Sequence, residues 1–310
     1  MITTVTLNAA VDVTYTVDRI RTGASHRLTE VRRRAGGKGI NVARVLAALG
    51  HPTTVTGLAG GAAGAVVRRD LAVSGLRDDL VGIAGDTRQT VTVVERERAD
   101  ASVFLEPGPH VTAAEWAAFR AVYRQLLDES RVVVLSGSLP TGLHDEAYAE
   151  LVALAGERGV PAVLDTVGVP LLKALPEGPA LVKPNVHELR ETLGTDDAAA
   201  GARLLLEAGA CAVTVSLGAE GMLALTADEG WLAKPPRRVP GNPTGAGDAA
   251  VAALSAGLAQ NTPWPDRLRR AVAVSAAAVR APLAGDFDAP TYRQLLDLVE
   301  VEVWSPSGAA

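Results

Sequence analysis

Aromatic residues make up only 4% of this 310-residue chain, so its core has to be built from Ala, Val and Leu. Cysteine is scarcer still. The single one, Cys211, cannot form an intramolecular disulfide, and its setting Ala210-Cys211-Ala212-Val213 predicts a small buried residue in a strand. No apolar run approaches the ~20 residues that span a bilayer, and no cationic, apolar leader precedes the strand-like run Ile2 to Leu7. The expectation is a cytoplasmic protein with no membrane partner. A cationic excess is missing too: the formal net charge is −5, and Arg32-Arg33-Arg34 belongs to no long basic stripe. Nucleic acid is therefore excluded as the expected partner, and that run reads as a solvated face without a function.

Several motifs are absent. The Gly-x-x-x-x-Gly-Lys-Ser/Thr phosphate loop fails because Lys38 is followed by Gly39. The dinucleotide fingerprint fails on spacing at Gly60-Gly61-Ala62-Ala63-Gly64, which is left as either a turn near a substrate or a plain strand-to-helix connection. The histidines at 26, 51, 110, 144 and 187 show no paired helical spacing, so a zinc site is not expected. A serine nucleophile at Ser136 or Ser138 would need a Gly-x-Ser-x-Gly elbow, and Leu139-Pro140 stands in the wrong positions for it.

What is present is alternation. A chain of this length buries about three quarters of its unfolded surface, enough for one large domain. Apolar strand-like runs such as Val132-Val133-Val134-Leu135, Ala162-Val163-Leu164 and Ala212-Val213-Thr214-Val215 alternate with helix-like segments, one of them near Asp145 to Glu157. That pattern predicts an α/β fold with a mostly parallel sheet covered on both faces. A helix over Gly39 to Leu49 follows from Ile40, Ala43, Leu46 and Ala47, and Gly50 suits its left-handed C-terminal cap. The stretches Val11 to Val31 and Thr90 to Leu105 instead alternate Thr, Val and charge, like half-exposed antiparallel strands of a small β lid. The apolar residues Val91, Val93, Val103 and Leu105 suit either a lid interior or a clasp between two copies, and both stay open. The tail from Ser305 to Ala310 is expected to be disordered.

Two glycine-rich helix starts could bind an anion through free backbone amides: Gly36 to Gly39 and Thr244 to Asp248. The second puts a carboxylate beside small-residue amides ahead of a helix over Ala249 to Ala259. From these residues alone Asp248 is equally a catalytic base or a helix cap.

Five segments in order resemble the phosphofructokinase-B branch of the ribokinase-like sugar kinases: Thr6-Leu7-Asn8-Ala9-Ala10-Val11-Asp12, Gly36-Gly37-Lys38-Gly39-Ile40-Asn41-Val42-Ala43-Arg44, Ser136-Gly137-Ser138-Leu139-Pro140, Lys183-Pro184-Asn185-Val186-His187-Glu188-Leu189, and Gly245-Ala246-Gly247-Asp248. The resemblance runs from about Thr4 to the last helix. It implies a single three-layer ribokinase-like α/β sandwich over 1–310, with a mostly parallel central sheet and a small β-sheet lid formed by about 11–34 and 88–106. It also implies ATP and Mg²⁺, with Asp248 as the base and the amides of Gly245, Ala246 and Gly247 holding the transferring phosphoryl group.

The same resemblance gives the sugar side to Asp12, Gly37, Lys38, Asn41 and Ser138, and the sugar's own phosphate to Arg88, with Arg27 as a further cation that in some members serves a dimer mate. Lys183, Ser216, Gly218 and Gly221 match nucleotide-side positions, and Asn185 with Glu188 matches the element near Mg²⁺. Arg88 favours a phosphorylated acceptor. The segment Glu229 to Pro236 puts fructose 1-phosphate first among substrates. Tagatose 6-phosphate and fructose 6-phosphate are the alternatives, and a non-catalytic sugar-phosphate binder is the alternative of another class. Ala9-Ala10, Pro243 and Ala249 depart from the family pattern without removing any of these groups. Arg280 to Gly285 matches the adenine-side loop poorly, so no adenine or monovalent-cation ligand is named there.

Overall fold

The computed structural model describes residues 1–98 and 100–305. Its strands are β1 (Ile2–Thr6), β2 (Ala10–Val17), β3 (Glu30–Gly36), β4 (Thr53–Gly60), β5 (Arg77–Ile83), β6 (Arg88–Glu95), β7 (Asp100–Leu105), β8 (Val132–Ser136), β9 (Ala162–Asp165), β10 (Leu181–Val182), β11 (Ala212–Ser216), β12 (Met222–Thr226), β13 (Gly230–Lys234) and β14 (Glu300–Val303). Its helices are α1 (Lys38–Ala48), α2 (Gly61–Val73), α3 (Ala113–Leu127), α4 (Ala147–Glu157), α5 (Val169–Ala174), α6 (Val186–Leu193), α7 (Ala198–Glu207), α8 (Ala246–Ala259), α9 (Trp264–Ala278) and α10 (Ala289–Leu296).

A 10-stranded sheet runs in the order β14-β13-β12-β11-β10-β9-β8-β1-β4-β5. From β5 to β11 every neighbouring pair is parallel, and β12 to β14 close that edge antiparallel. Apart from the edge strand β5, the parallel strands are buried on both faces, which is why runs such as Val132 to Leu135 are continuously apolar rather than alternating. One face packs on α3, α4 and α7 around Phe119, Tyr148 and Leu205, and the other on α1, α8 and α9 around Leu46, Leu254 and Leu268. The result is the expected three-layer α/β sandwich. Helix α8 is apolar on all sides because it lies inside, buried from Asp248 to Gly257. Among the described residues, no helix is long and apolar enough to cross a membrane.

Helix α1 ends as its sequence predicts. Gly50 takes φ 84°, donates to Ala47 O at 2.9 Å, and is followed by His51 donating to Leu46 O at 3.0 Å, the paired bonds of a left-handed cap.

A second sheet has the order β3-β2-β6-β7. The hairpins β2/β3 and β6/β7 are antiparallel as expected, but they join through a parallel β2–β6 pair. The reason is topological: the chain between them passes through β4, α2 and β5 of the main body, so β6 leaves that body in the same direction as β2. Val11, Val13 and Ala35 seat this small sheet on Ile40, Val67 and Leu71 of α1 and α2.

Two expectations from sequence change, and one reading left open is decided. Cys211 is exposed, because β11 begins one residue later and Cys211 sits in the bend that enters it. Arg34 is no solvated residue: it is half-buried and grips Asp286 with both guanidinium nitrogens, at 2.6 and 2.7 Å, while its neighbours Arg32 and Arg33 are exposed. The glycines at 60, 61 and 64 make a plain strand-to-helix connection from β4 into α2. Of the tail expected to be disordered, residues 306–310 lie outside the described residues.

Candidate active site

The carboxyl ends of the central strands open into a cavity of about 870 Å³, where ligands of open α/β sheets are generally held. One wall is the start of α8. Its cap position is Gly245 at φ 85°, a left-handed conformation that disfavours a side chain, and a methyl group there would also stand 2.8 Å from Ala284 Cα. The Ala246 amide bonds back to Pro243 O at 3.1 Å, whereas the amides of Gly245 and Gly247 have no protein acceptor among the described residues.

The helix begins at Ala246 rather than Ala249, so Asp248 falls inside its first turn. Asp248 does not cap: no side-chain cap bond is made, and its buried carboxylate accepts instead from Asn41 Nδ2 of α1 at 2.8 Å. Burial and then the charge of Asp165 push its pKa up to about 7, against the pull of Lys38, Asn41 and Lys183.

Asp165, at the end of β9, is the residue that sequence reading missed. It is 2% exposed, accepts from Ser136 Oγ at 3.0 Å, and lies 3.4 Å from Lys38 Nζ and 3.5 Å from Lys183 Nζ. Burial opposes its ionisation, but Lys183, Lys38 and the Ser136 hydroxyl outweigh that and hold its pKa below the usual carboxylate value. Two neighbouring buried carboxylates thus have opposite tendencies, one kept charged and the other poised to exchange a proton near neutrality. An Asp closing an apolar strand at the carboxyl edge of a parallel sheet was the available signal.

Lys38 also donates to Glu188 Oε1 at 3.2 Å, and its ammonium is stabilised first by Asp165. Glu188 and Asn185 form a reciprocal capping box on α6: each accepts the other's backbone amide at 2.9 Å. Ser216 bridges to Asn185 across the strand ends, and Gly218 and Gly221 follow it along the cavity wall. At Gly221, φ 104° and the nearby Ala233 O give the glycine a local reason of its own.

On the small-sheet side lie Asp12 and Arg88. Burial raises the Asp12 pKa, with Arg88 pulling against it. Arg88 bonds Asn8 O and Thr90 Oγ1, both at 3.3 Å, and has no carboxylate within ion-pair distance among the described residues. Gly37, Lys38, Asn41 and Lys183 complete a lining that holds all but two of the residues singled out in sequence. Ser138 is exposed outside it and accepts from Asn8 Nδ2 at 3.1 Å, and Arg27 is exposed in the β2–β3 connection. Arg237 and Arg238, not singled out, do line it.

Among the described residues no three His, Cys, Asp or Glu side chains converge to hold a metal by themselves. The donors present suit Mg²⁺ nonetheless, since that ion keeps several waters and relies on one or two carboxylates plus substrate phosphates. Glu188 and Asp165, whose buried Oδ1 makes no hydrogen bond and only a 3.5 Å ion pair with Lys183, supply oxygens of that kind.

Comparison with known proteins agrees with this fold. The pattern described as pfkB family carbohydrate kinase matches residues 4–291. A 1-phosphofructokinase of Xanthomonas campestris pv. campestris is 40% identical over 264 residues, covering 82% of this chain and 83% of that protein. A possible 1-phosphofructokinase of Thermotoga maritima superposes with a TM-score of 0.89 at 27% identity, covering 98% of this chain and 99% of that one. Phosphofructokinase-2 of Escherichia coli, in complex with fructose-6-phosphate, superposes with a TM-score of 0.85 at 29% identity, covering 96% and 98%.

Proposed function

This chain belongs to the pfkB family of carbohydrate kinases, and from that premise we propose that it transfers the γ-phosphoryl group of ATP to fructose 1-phosphate, giving fructose 1,6-bisphosphate. The observation that carries the reaction type is Asp248: a buried carboxylate with a pKa of about 7, one residue from free backbone amides at a helix start. A base poised near the working pH beside an anion-holding turn is what phosphoryl transfer to a hydroxyl requires. The acceptor is supported by the 40% identity to a 1-phosphofructokinase.

In this mechanism Asp248 takes the proton of the acceptor hydroxyl as the phosphoryl group arrives. The amides of Gly245 and Gly247, with Ala246 between them, stabilise its equatorial oxygens. Asp12, Gly37, Lys38 and Asn41 orient the sugar, and Arg88, with guanidinium nitrogens to spare, holds the phosphate already on it. Ser138 lies behind Asn8 and supports that wall indirectly. Lys183, Ser216, Gly218 and Gly221 flank the nucleotide. Asn185 and Glu188 would hold Mg²⁺, partly through water, and the ion supplies charge neutralisation at the phosphate oxygens. The capping box gives Glu188 a fixed orientation for that role.

The small sheet acts as a lid over the acceptor, and the exposed Val103 and Leu105, on one face of β7, offer a surface to a second copy of the chain, with Arg27 at that copy's site. The cytoplasm, where phosphorylated sugars and ATP meet, is the compartment this chemistry implies.

The test is a coupled ADP-release assay with Mg·ATP against fructose 1-phosphate, fructose 6-phosphate, tagatose 6-phosphate, fructose and a nucleoside. Turnover is expected to be fastest with fructose 1-phosphate. A faster 6-phosphate would correct the acceptor, and no turnover with any of them would return the chain to a sugar-phosphate binder.

A further inference from the structure

Arg34 lies on β3 directly opposite Asp12 in the β2–β3 register, and its guanidinium reaches out of the small sheet to the connection between α9 and α10. There it binds Asp286 in a two-point fork, at 2.6 and 2.7 Å, and donates to Ala284 O at 3.3 Å. Apart from Phe287, which packs on the core and meets Tyr292 edge to face at 5.5 Å, the loop so held has few bonds of its own. Among the described residues, positions 282–287 donate one backbone bond, from Asp286 N to Leu283 O at 3.3 Å.

Yet this loop touches both sides of the reaction centre. A methyl group at Gly245 would meet Ala284 Cα at 2.8 Å, and one at Gly285 would meet Asn41 Cα at 3.1 Å. Gly245 opens the anion turn, and Asn41 is the residue that holds Asp248. The loop is wedged between the two, and its lateral position is set from the small sheet.

We propose that Arg34 and Asp286 are a positioning pair: a strut that ties the small sheet, and with it Asp12, to the loop packed on Gly245 and Asn41. The inference rests on the kinase reading for its kinetic consequence only. Neither residue of the pair lines the cavity. A two-point guanidinium–carboxylate contact fixes orientation as well as distance, which an ordinary surface ion pair does not. Displacement of reacting groups by about 1 Å can cost ~10²-fold in rate, so a loop of this kind need not touch substrate to control turnover.

The experiment compares Arg34→Met, Asp286→Asn, their double variant and Arg34→Lys with the parent chain, by steady-state kinetics and by amide hydrogen exchange over Gly245 to Ala249. The expected result is a fall in kcat of about 10- to 100-fold in either single variant. KM for ATP should change less than about threefold, and KM for the sugar, whose Asp12 the strut ties in place, should rise by less than kcat falls. The double variant should be no slower than the slower single, because both remove one contact. Arg34→Lys, which keeps the charge and loses the fork, should recover part of the rate, and exchange at Ala246 and Ala249, whose amides bond Pro243 O and Gly245 O, should quicken wherever kcat falls. Unchanged kcat, losses that multiply in the double variant, or a loss confined to KM would overturn the strut. Should the parent chain show no kinase turnover, the kinase reading falls separately and exchange decides the strut: unchanged protection of the bonded amides of Ala246 and Ala249 in the variants refutes it.

Discussion

Asn41 and Asp248 stand 207 residues apart in the chain and meet in a buried hydrogen bond of 2.8 Å. Because the amide donates to the carboxylate, the bond favours the charged form, while Asp165 favours the neutral one. The acid limb of kcat/KM against pH is expected near the Asp248 value of about 7. Asn41→Ala removes a stabiliser of the carboxylate and should move that limb up. Asp165→Asn removes the repelling charge and releases Lys38 and Lys183 toward Asp248, so it should move the limb down. Shifts of the same sign in both variants would contradict this electrostatic assignment.

Asp248→Asn is expected to lower kcat by at least ~10²-fold, the low end for a positioned base, with ATP affinity little changed. Its effect on stability should have the opposite direction. An exposed Asp titrates near 3.8 and this one at about 7, so between those values the folded protein holds the extra proton and loses stability as pH rises. The Tm advantage of Asp248→Asn over the parent should therefore grow from about pH 4 to about pH 7 and level off above. A pH-independent difference would show that Asp248 titrates normally.

Glu188→Gln separates the two roles of Glu188. Glutamine serves a capping box as well as glutamate does, so α6 and Tm should be nearly unaffected. The Mg²⁺ concentration for half-maximal turnover should rise, since one anionic ligand is lost. Equal Mg²⁺ requirements would leave Glu188 with capping alone.

Arg88→Ala should raise KM for the phosphorylated sugar far more than KM for ATP. The discrimination between phosphorylated and unphosphorylated acceptors should narrow with it. Parallel losses for both kinds of acceptor would remove Arg88 from phosphate binding.

Leu105→Glu places a charge on the exposed apolar face of the small sheet. Sedimentation is expected to show the parent chain as a dimer and this variant shifted toward monomer. A monomeric parent would refute pairing through that face.

The sequence by itself determined what local chemistry can encode. Continuous apolar runs announced strands buried on both faces, and glycine at 50 announced the end of α1, whereas Asn185 and Glu188, matched only to an element near Mg²⁺, turned out also to start α6 as a capping box. Gly245 to Asp248 was recognisable as an anion-binding turn with a carboxylate, though the helix begun at Ala246 turned that carboxylate from a possible cap into an interior group. Tertiary structure decided the rest, because charge and burial depend on what other parts of the chain bring near. Asp165 looks like any strand-ending Asp until Lys38 and Lys183 converge on it, and the pKa of Asp248 follows from that arrangement. Arg34 looked like one of three solvated arginines, and only folding sets it against Asp286, 252 residues away. Periodicity is a property of neighbours along the chain, whereas a proton's affinity and a strut's purchase belong to neighbours in space.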